Sequence, residues 1–236
     1  MKLRHVVIPA AAMFLAVQGA ANATVVYFND FESAIGPELA LTSGSGTLGL
    51  DADTSPASKF LGLNDALANG GLGNNQVTLS LTGLPAHSAI TVSFDAYIMR
   101  SMDGGFNCCG PDYFVFNLGT FTRTTTFGGP TQAFPNFLET GGTPSDNATY
   151  TGGTYTGSGE GVFFPVTFTI PDAGSAVAMS FSMNGLQGVF DEGWGLDNLR
   201  VEVNGAVSEP STNALLAIGA LAFGIGSRRR SAQILR

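Results

Sequence analysis

Alternation of apolar and polar side chains dominates the middle of this chain. In 76–82, Val77, Leu79 and Leu81 alternate with polar neighbours, and in 89–98 Ile90, Val92, Phe94, Ala96 and Ile98 share one face. Period two puts successive side chains on opposite sides of an extended backbone, so each run predicts a strand with one apolar face. The pattern returns in 162–170, where Val162, Phe164, Val166, Phe168 and Ile170 align, and in 176–183, where Val177, Met179, Phe181 and Met183 do. Strands are also predicted over 25–31, 113–118, 121–127 and 194–203, with 59–63 as a short edge strand. Gly119-Thr120 reads as a hairpin turn and Leu84 to His87 as a second turn, while 131–161, rich in Gly, Thr, Ser and Asn, reads as a long surface loop or an elaborated hairpin. About nine antiparallel strands, each apolar on one face, bury those faces against a second sheet. The expected fold is therefore all-β, an antiparallel jelly-roll β-sandwich. No period of about 20 to 50 residues repeats, which argues against a solenoid or propeller.

The two ends break the alternation. Lys2 and Arg4 precede an apolar run over 6–17, and Ala21-Asn22-Ala23 supplies the small residues that signal peptidase reads. Residues 1–23 are thus expected to be a signal helix, cleaved after Ala23. At the other end, Ser208-Glu209-Pro210 is followed by an uncharged stretch and then Arg228, Arg229 and Arg230. That order describes a segment that enters a membrane and is halted by cytoplasmic charge. Its strongly apolar part, 214–226, has 13 residues, against roughly 20 for a comfortable span. A short hydrophobic helix of this kind suits a transient membrane stop. The segment resembles the PEP-CTERM sorting signal of exopolysaccharide-producing Gram-negative bacteria, with Ser-Glu-Pro where that family usually has Pro-Glu-Pro. The resemblance implies removal by an exosortase, a passing inner-membrane intermediate, and delivery to the cell surface or extracellular matrix. The organisation read from the sequence is a signal peptide at 1–23, a β-sandwich domain at 24–206 and a sorting segment at 207–236.

Removing the ends changes the composition. All 18 acidic residues lie between Asp30 and Glu209, with only Lys59, Arg100, Arg123 and Arg200 among the basic ones, a net charge of −14 for that stretch. Nucleic acid and anionic lipid are poor partners for such a surface. Calcium, which takes carboxylate and carbonyl oxygens, is a good one. Eighteen Phe and 32 Gly favour short strands and glycine turns over helices. Cys108 and Cys109 are adjacent, and a strained vicinal disulfide, a link between chains and two free thiols are all open to them. With His87 the sole histidine of the mature region, a zinc site lacks ligands.

Polar residues on apolar parities are the candidates for chemistry. Asp197 shares a parity with Leu199, Val201 and Val203, and Asp30 and Glu32 share one with Val26 and Phe28, so an unbroken strand points these carboxylates inward. Buried anions need a partner, and one calcium ion would serve Asp30, Glu32 and Asp197 together. The segments Phe28-Asn29-Asp30-Phe31-Glu32 and Trp194-Gly195-Leu196-Asp197-Asn198-Leu199-Arg200-Val201 resemble the framing strands of extracellular jelly-roll modules, the MAM-type domains and several carbohydrate-binding modules. That resemblance implies a structural calcium on Glu32 and Asp197 first, with Asp30 less securely. A second candidate is Ser101 to Phe114, where Asp103, Asn107 and Asp112 gather among glycines and Phe106 and Tyr113 offer aromatic planes, a loop suited to a cation or a sugar. Segments resembling Leu84 to Gly104 followed by Gly110 to Phe114 recur in secreted bacterial proteins with the same kind of tail.

No Gly-x-Ser-x-Gly elbow, phosphate loop or histidine-rich metal motif is present. The expected role is non-enzymatic: an exported surface or exopolysaccharide-matrix protein with a calcium-stabilised, polysaccharide-binding sandwich. The alternative is a hydrolase or lyase acting on extracellular polysaccharide, which would need a cleft with two convergent carboxylates.

Overall fold

The computed structural model describes residues 23–52, 58–64, 71–104, 110–128, 140–141, 149–150, 154–155, 161–188 and 191–205. Residues 1–22 of the expected signal helix, the whole 207–236 segment, Phe106, Asn107, Cys108 and Cys109 lie outside the described residues, and Ala23, the expected last residue of that helix, begins a strand. The strands are β1 (Ala23–Asn29), β2 (Leu39–Ser43), β3 (Leu48–Ala52), β4 (Lys59–Leu63), β5 (Gln76–Thr82), β6 (His87–Arg100), β7 (Tyr113–Leu118), β8 (Phe121–Thr126), β9 (Thr140–Gly141), β10 (Thr149–Tyr150), β11 (Thr154–Tyr155), β12 (Gly161–Pro171), β13 (Ala176–Asn184) and β14 (Glu192–Gly205). They form two sheets, all of whose pairs are antiparallel. The front sheet runs β10-β12-β6-β14-β4-β3, with β1 on β14 and β11 on β12; the back sheet runs β2-β5-β13-β7-β8-β9.

The chain passes from β5 in the back sheet to β6 in the front, to β7 in the back, and again from β12 to β13 to β14. Each crossing carries an alternating strand to the opposite layer, so the apolar parities meet face to face as a jelly-roll sandwich. Phe94 from the front sheet packs edge-on against Phe181 from the back at 5.3 Å, and Phe168 stacks on Phe116 at 4.8 Å. Every inward residue predicted for β5, β6, β12 and β13 is buried in this core. The β7–β8 hairpin turns at Gly119, whose φ of +58° favours a residue without a side chain.

Three expectations are corrected. Residues 59–63 are not an edge: β3, which the pattern did not announce, pairs with β4 and closes its outer side. In β1 the register shifts between Val25 and Tyr27, and Phe31 takes a φ of +52°. These breaks turn Phe31 into the core and leave Phe28 55% exposed, with Asp30 and Glu32 also exposed. His87, read as the end of a turn, opens β6 and is buried, its ring nitrogens 2.7 Å from the Pro85 carbonyl and 2.9 Å from Asp172 Oδ1.

Candidate functional site

At one end of the sandwich three carboxylates converge. Asp103 follows β6, Asp112 precedes β7 and Glu192 opens β14, and one ligand oxygen from each lies within 4.8 Å of the others. Parity puts two of them there: Asp112 continues the inward row of Phe114, Phe116 and Leu118, and Glu192 continues that of Trp194 and Leu196. Beneath them Phe114 meets Trp194 edge-on at 5.8 Å. Backbone turns hold the group. Asp103 bridges Gly128, Gly104 has a φ of +61°, and the Gly104 carbonyl accepts from the Asp112 amide at 3.0 Å. Asp112 Oδ2 accepts from the Asp103 amide at 2.8 Å, and Glu192 Oε2 accepts from the Gln187 amide at 2.6 Å. Gly185, with a φ of +106°, lies against Asp112, where an added Cβ would stand 2.8 Å from the Pro111 carbonyl oxygen.

The electrostatics of this end are unfavourable to anions. Asp103, Asp112 and Glu192 are 8%, 0% and 1% exposed. Burial pushes Glu192 up to about 7, with the charges of Asp112, Asp103 and Asp191 adding to the effect against the lowering hydrogen bond from Gln187. Burial also raises Asp112, again assisted by Asp103. Asp112 Oδ1 is enclosed and has no hydrogen-bond donor among the described residues. Such a group requires protons or a cation.

Of the five residues expected to form a ligand loop, Asp103 and Asp112 do come together, but they face the interior and not solvent. Tyr113 lies in β7, half-buried, paired with Thr126 and Asn184. Glu192 was not foreseen. Its signal was the same period-two parity, read two residues upstream of Trp194.

The second acidic group lies on the outer face of the front sheet. The β14 register shifts between Asp197 and Arg200, where Asn198 has a φ of +51°. This bulge reverses parity, so Leu199, Val201 and Val203 point inward while Asp197 points outward beside its partner Asp95. Ser58 Oγ donates to Glu32 Oε1 at 2.9 Å and to Asp197 Oδ2 at 3.4 Å, tying the two predicted residues to one hydroxyl. Asp30 does not join them; its Oδ1 accepts from the Glu32 amide at 3.3 Å. Burial, then the charges of Asp95 and Glu32, holds Asp197 at about 6 despite hydrogen bonds from Asn198 and Ser58. As hard oxygen donors meeting at Ser58, Glu32 and Asp197 fit calcium chemistry, and Asp30 is not positioned to contribute its bonded oxygen.

Beside this group is a row of rings. Phe163 stacks on Tyr97 at 4.5 Å, and Phe60 tilts against Tyr97 at 4.6 Å, apart from the main core. Two glycines make room: a Cβ on Gly161 would stand 2.2 Å from Tyr97, and one on Gly195 2.3 Å from Phe60. Phe163 is half-buried at the rim. Asn198 Nδ2 donates to Asp95 Oδ2 at 2.8 Å along the same face.

No protein-family model matches the chain, and no curated protein matches its sequence. Among solved structures the chain is similar to the carbohydrate-binding module TmCBM27, described for its specific recognition of mannan. The TM-score is 0.35 and the identity 12%, over 78% of this chain and 99% of that one.

Proposed function

We propose that this chain is an exported, non-enzymatic β-sandwich that binds extracellular polysaccharide through the outer face of its front sheet. The observation that carries the reading is the strip on that face, where half-buried Phe163 stacks on buried Tyr97, and half-buried Asp95 and Ser58 with exposed Asn198 and Glu32 lie alongside buried Asp197. Sugars present apolar C–H faces and hydroxyl edges; an aromatic plane complements the first and carboxylate and amide groups the second. Calcium on Glu32 and Asp197 belongs to the same reading, as a fixed charge that holds the strip in place. The near-complete burial of Asp112 and Glu192 supports binding over hydrolysis at the sandwich end.

Delivery is part of the proposal. Signal peptidase removes 1–23, and an exosortase acting near Pro210 releases the domain into the cell surface or exopolysaccharide matrix of a Gram-negative bacterium. The test is affinity electrophoresis of the full chain through gels containing the producer's exopolysaccharide, with and without chelator. Phe163→Ala is expected to restore mobility in the polysaccharide gel while leaving the melting temperature within a few degrees of wild type. Equal mobility of the wild type with and without polysaccharide would overturn the reading.

A further inference from the structure

We propose that Asp103, Asp112 and Glu192 bind one calcium ion, and that this ion fastens the β6–β7 connection to the first residue of β14. The site is distinct from the Glu32–Asp197 pair and independent of polysaccharide binding. Two observations meet here. The first is convergence: three carboxylates, two from the β6–β7 connection and one from the start of β14, offer oxygens within 4.8 Å. The second is the orphaned atom. Asp112 is fully enclosed, its Oδ2 is held by the Asp103 amide, and its Oδ1 has no donor among the described residues. A buried acceptor left unmade costs about 1–3 kcal/mol, a cost that a cation seated against Oδ1 removes.

The donor chemistry selects the ion. All three ligands are carboxylate oxygens, the set for a hard cation and not for structural zinc, whose sites are built from Cys and His. Magnesium sheds water reluctantly and keeps several aquo ligands, whereas these residues are at most 8% exposed. Calcium completes a flexible shell with backbone carbonyls. The consequence is mechanical. Asp103 leaves the front sheet, Asp112 enters the back sheet and Glu192 returns to the front, so a shared ion staples the two layers at the end where the Ser101 to Phe114 connection crosses.

The test uses the full chain, stripped of metal, with calcium chloride alone as the probe. Calorimetric titration should give one fewer bound calcium for Glu192→Gln than for wild type, while Asp197→Asn retains that equivalent. At free calcium about a hundredfold above Kd, the folded-to-unfolded ratio of wild type should rise about a hundredfold and that of Glu192→Gln should lose this gain. In chelator, Glu192→Gln should be at least as stable as wild type, since a neutral amide replaces an acid lacking its ion. A readout on the wild type covers any variant that fails to fold: terbium bound here should luminesce through Trp194, the single tryptophan, two residues from Glu192. That emission should persist in Asp197→Asn and be competed by calcium. Absence of calcium heat and of terbium emission in the wild type would overturn the assignment. So would a calcium response in Glu192→Gln and Asp112→Asn equal to that of wild type, or an emission lost only in Asp197→Asn.

Discussion

Gly195→Ala tests the packing of the outer aromatic row with a single methyl group. Gly195 lies in β14 opposite Tyr97, and a Cβ there would stand 2.3 Å from Phe60 Cδ2, 2.9 Å from Phe60 Cε2 and 3.0 Å from the Leu61 carbonyl oxygen. Phe60 is 1% exposed and held against Tyr97, so its ring has no open space into which to swing. Overpacking of this kind costs about 1–3 kcal/mol. Three contacts at or below 3.0 Å put this site in the upper half of that range; replacing glycine in an extended strand returns about 0.5–1 kcal/mol through the unfolded chain, leaving a net loss of about 1–2.5 kcal/mol and, for a domain of this size, a fall of roughly 2–10 °C in Tm. Phe60→Ala alone should cost about 3 kcal/mol, the low end for a buried phenylalanine, because its cluster is small. In the double variant the methyl group occupies part of the vacated space. The coupling should therefore favour the pair by about 1 kcal/mol, with the Leu61 contact limiting full relief. Guanidinium unfolding, followed by Trp194 fluorescence and by far-ultraviolet circular dichroism, measures all four corners of the cycle. Additivity within about 0.5 kcal/mol, or a neutral Gly195→Ala, would refute the claim that this glycine exists to admit Phe60.

Three further outcomes are expected. In chelator, Asp197 is held at about 6 by burial and by Asp95 and Glu32, above its ordinary 3.8; the native state then holds more protons than the unfolded state across that window. Stability should fall by at most about 3 kcal/mol as pH rises from 4 to 7, and Asp197→Asn should remove this limb while leaving the one from Glu192, held at about 7; an unchanged slope in urea melts would contradict the assignment. Trp194→Phe should cost about 2–4 kcal/mol, since it leaves a small void and frees the Gly73 carbonyl that accepts from Trp194 Nε1 at 2.6 Å; circular dichroism melts within 0.5 kcal/mol of wild type, a difference of about the size seen at the surface, would deny that bond its role. Intact-mass measurement of secreted material should find a chain ending near Pro210, and a species retaining Arg236 would sink the sorting proposal.

Alternation along the chain settles the layers of this protein. Period-two alternation in 76–82, 89–98, 162–170 and 176–183 fixes which side chains face the core, because the pleat admits only one answer once a face must be buried. It would equally have marked Asp112 from Phe114 and Glu192 from Trp194, had the parity been carried past the strand ends. The tertiary structure decided the rest. A bulge at Asp197 and Asn198 reversed a parity that looked secure, moving a carboxylate from the core side to the outer face. The strand β3 and the interior position of β4 depend on pairing partners distant along the chain, which local propensity does not encode. The acidic triad joins residues 103, 112 and 192, and the aromatic row joins 60, 97 and 163. Alternation is a property of one strand and can be read along it. Convergence is a property of register and of sheet crossing, and it exists only after those strands have paired.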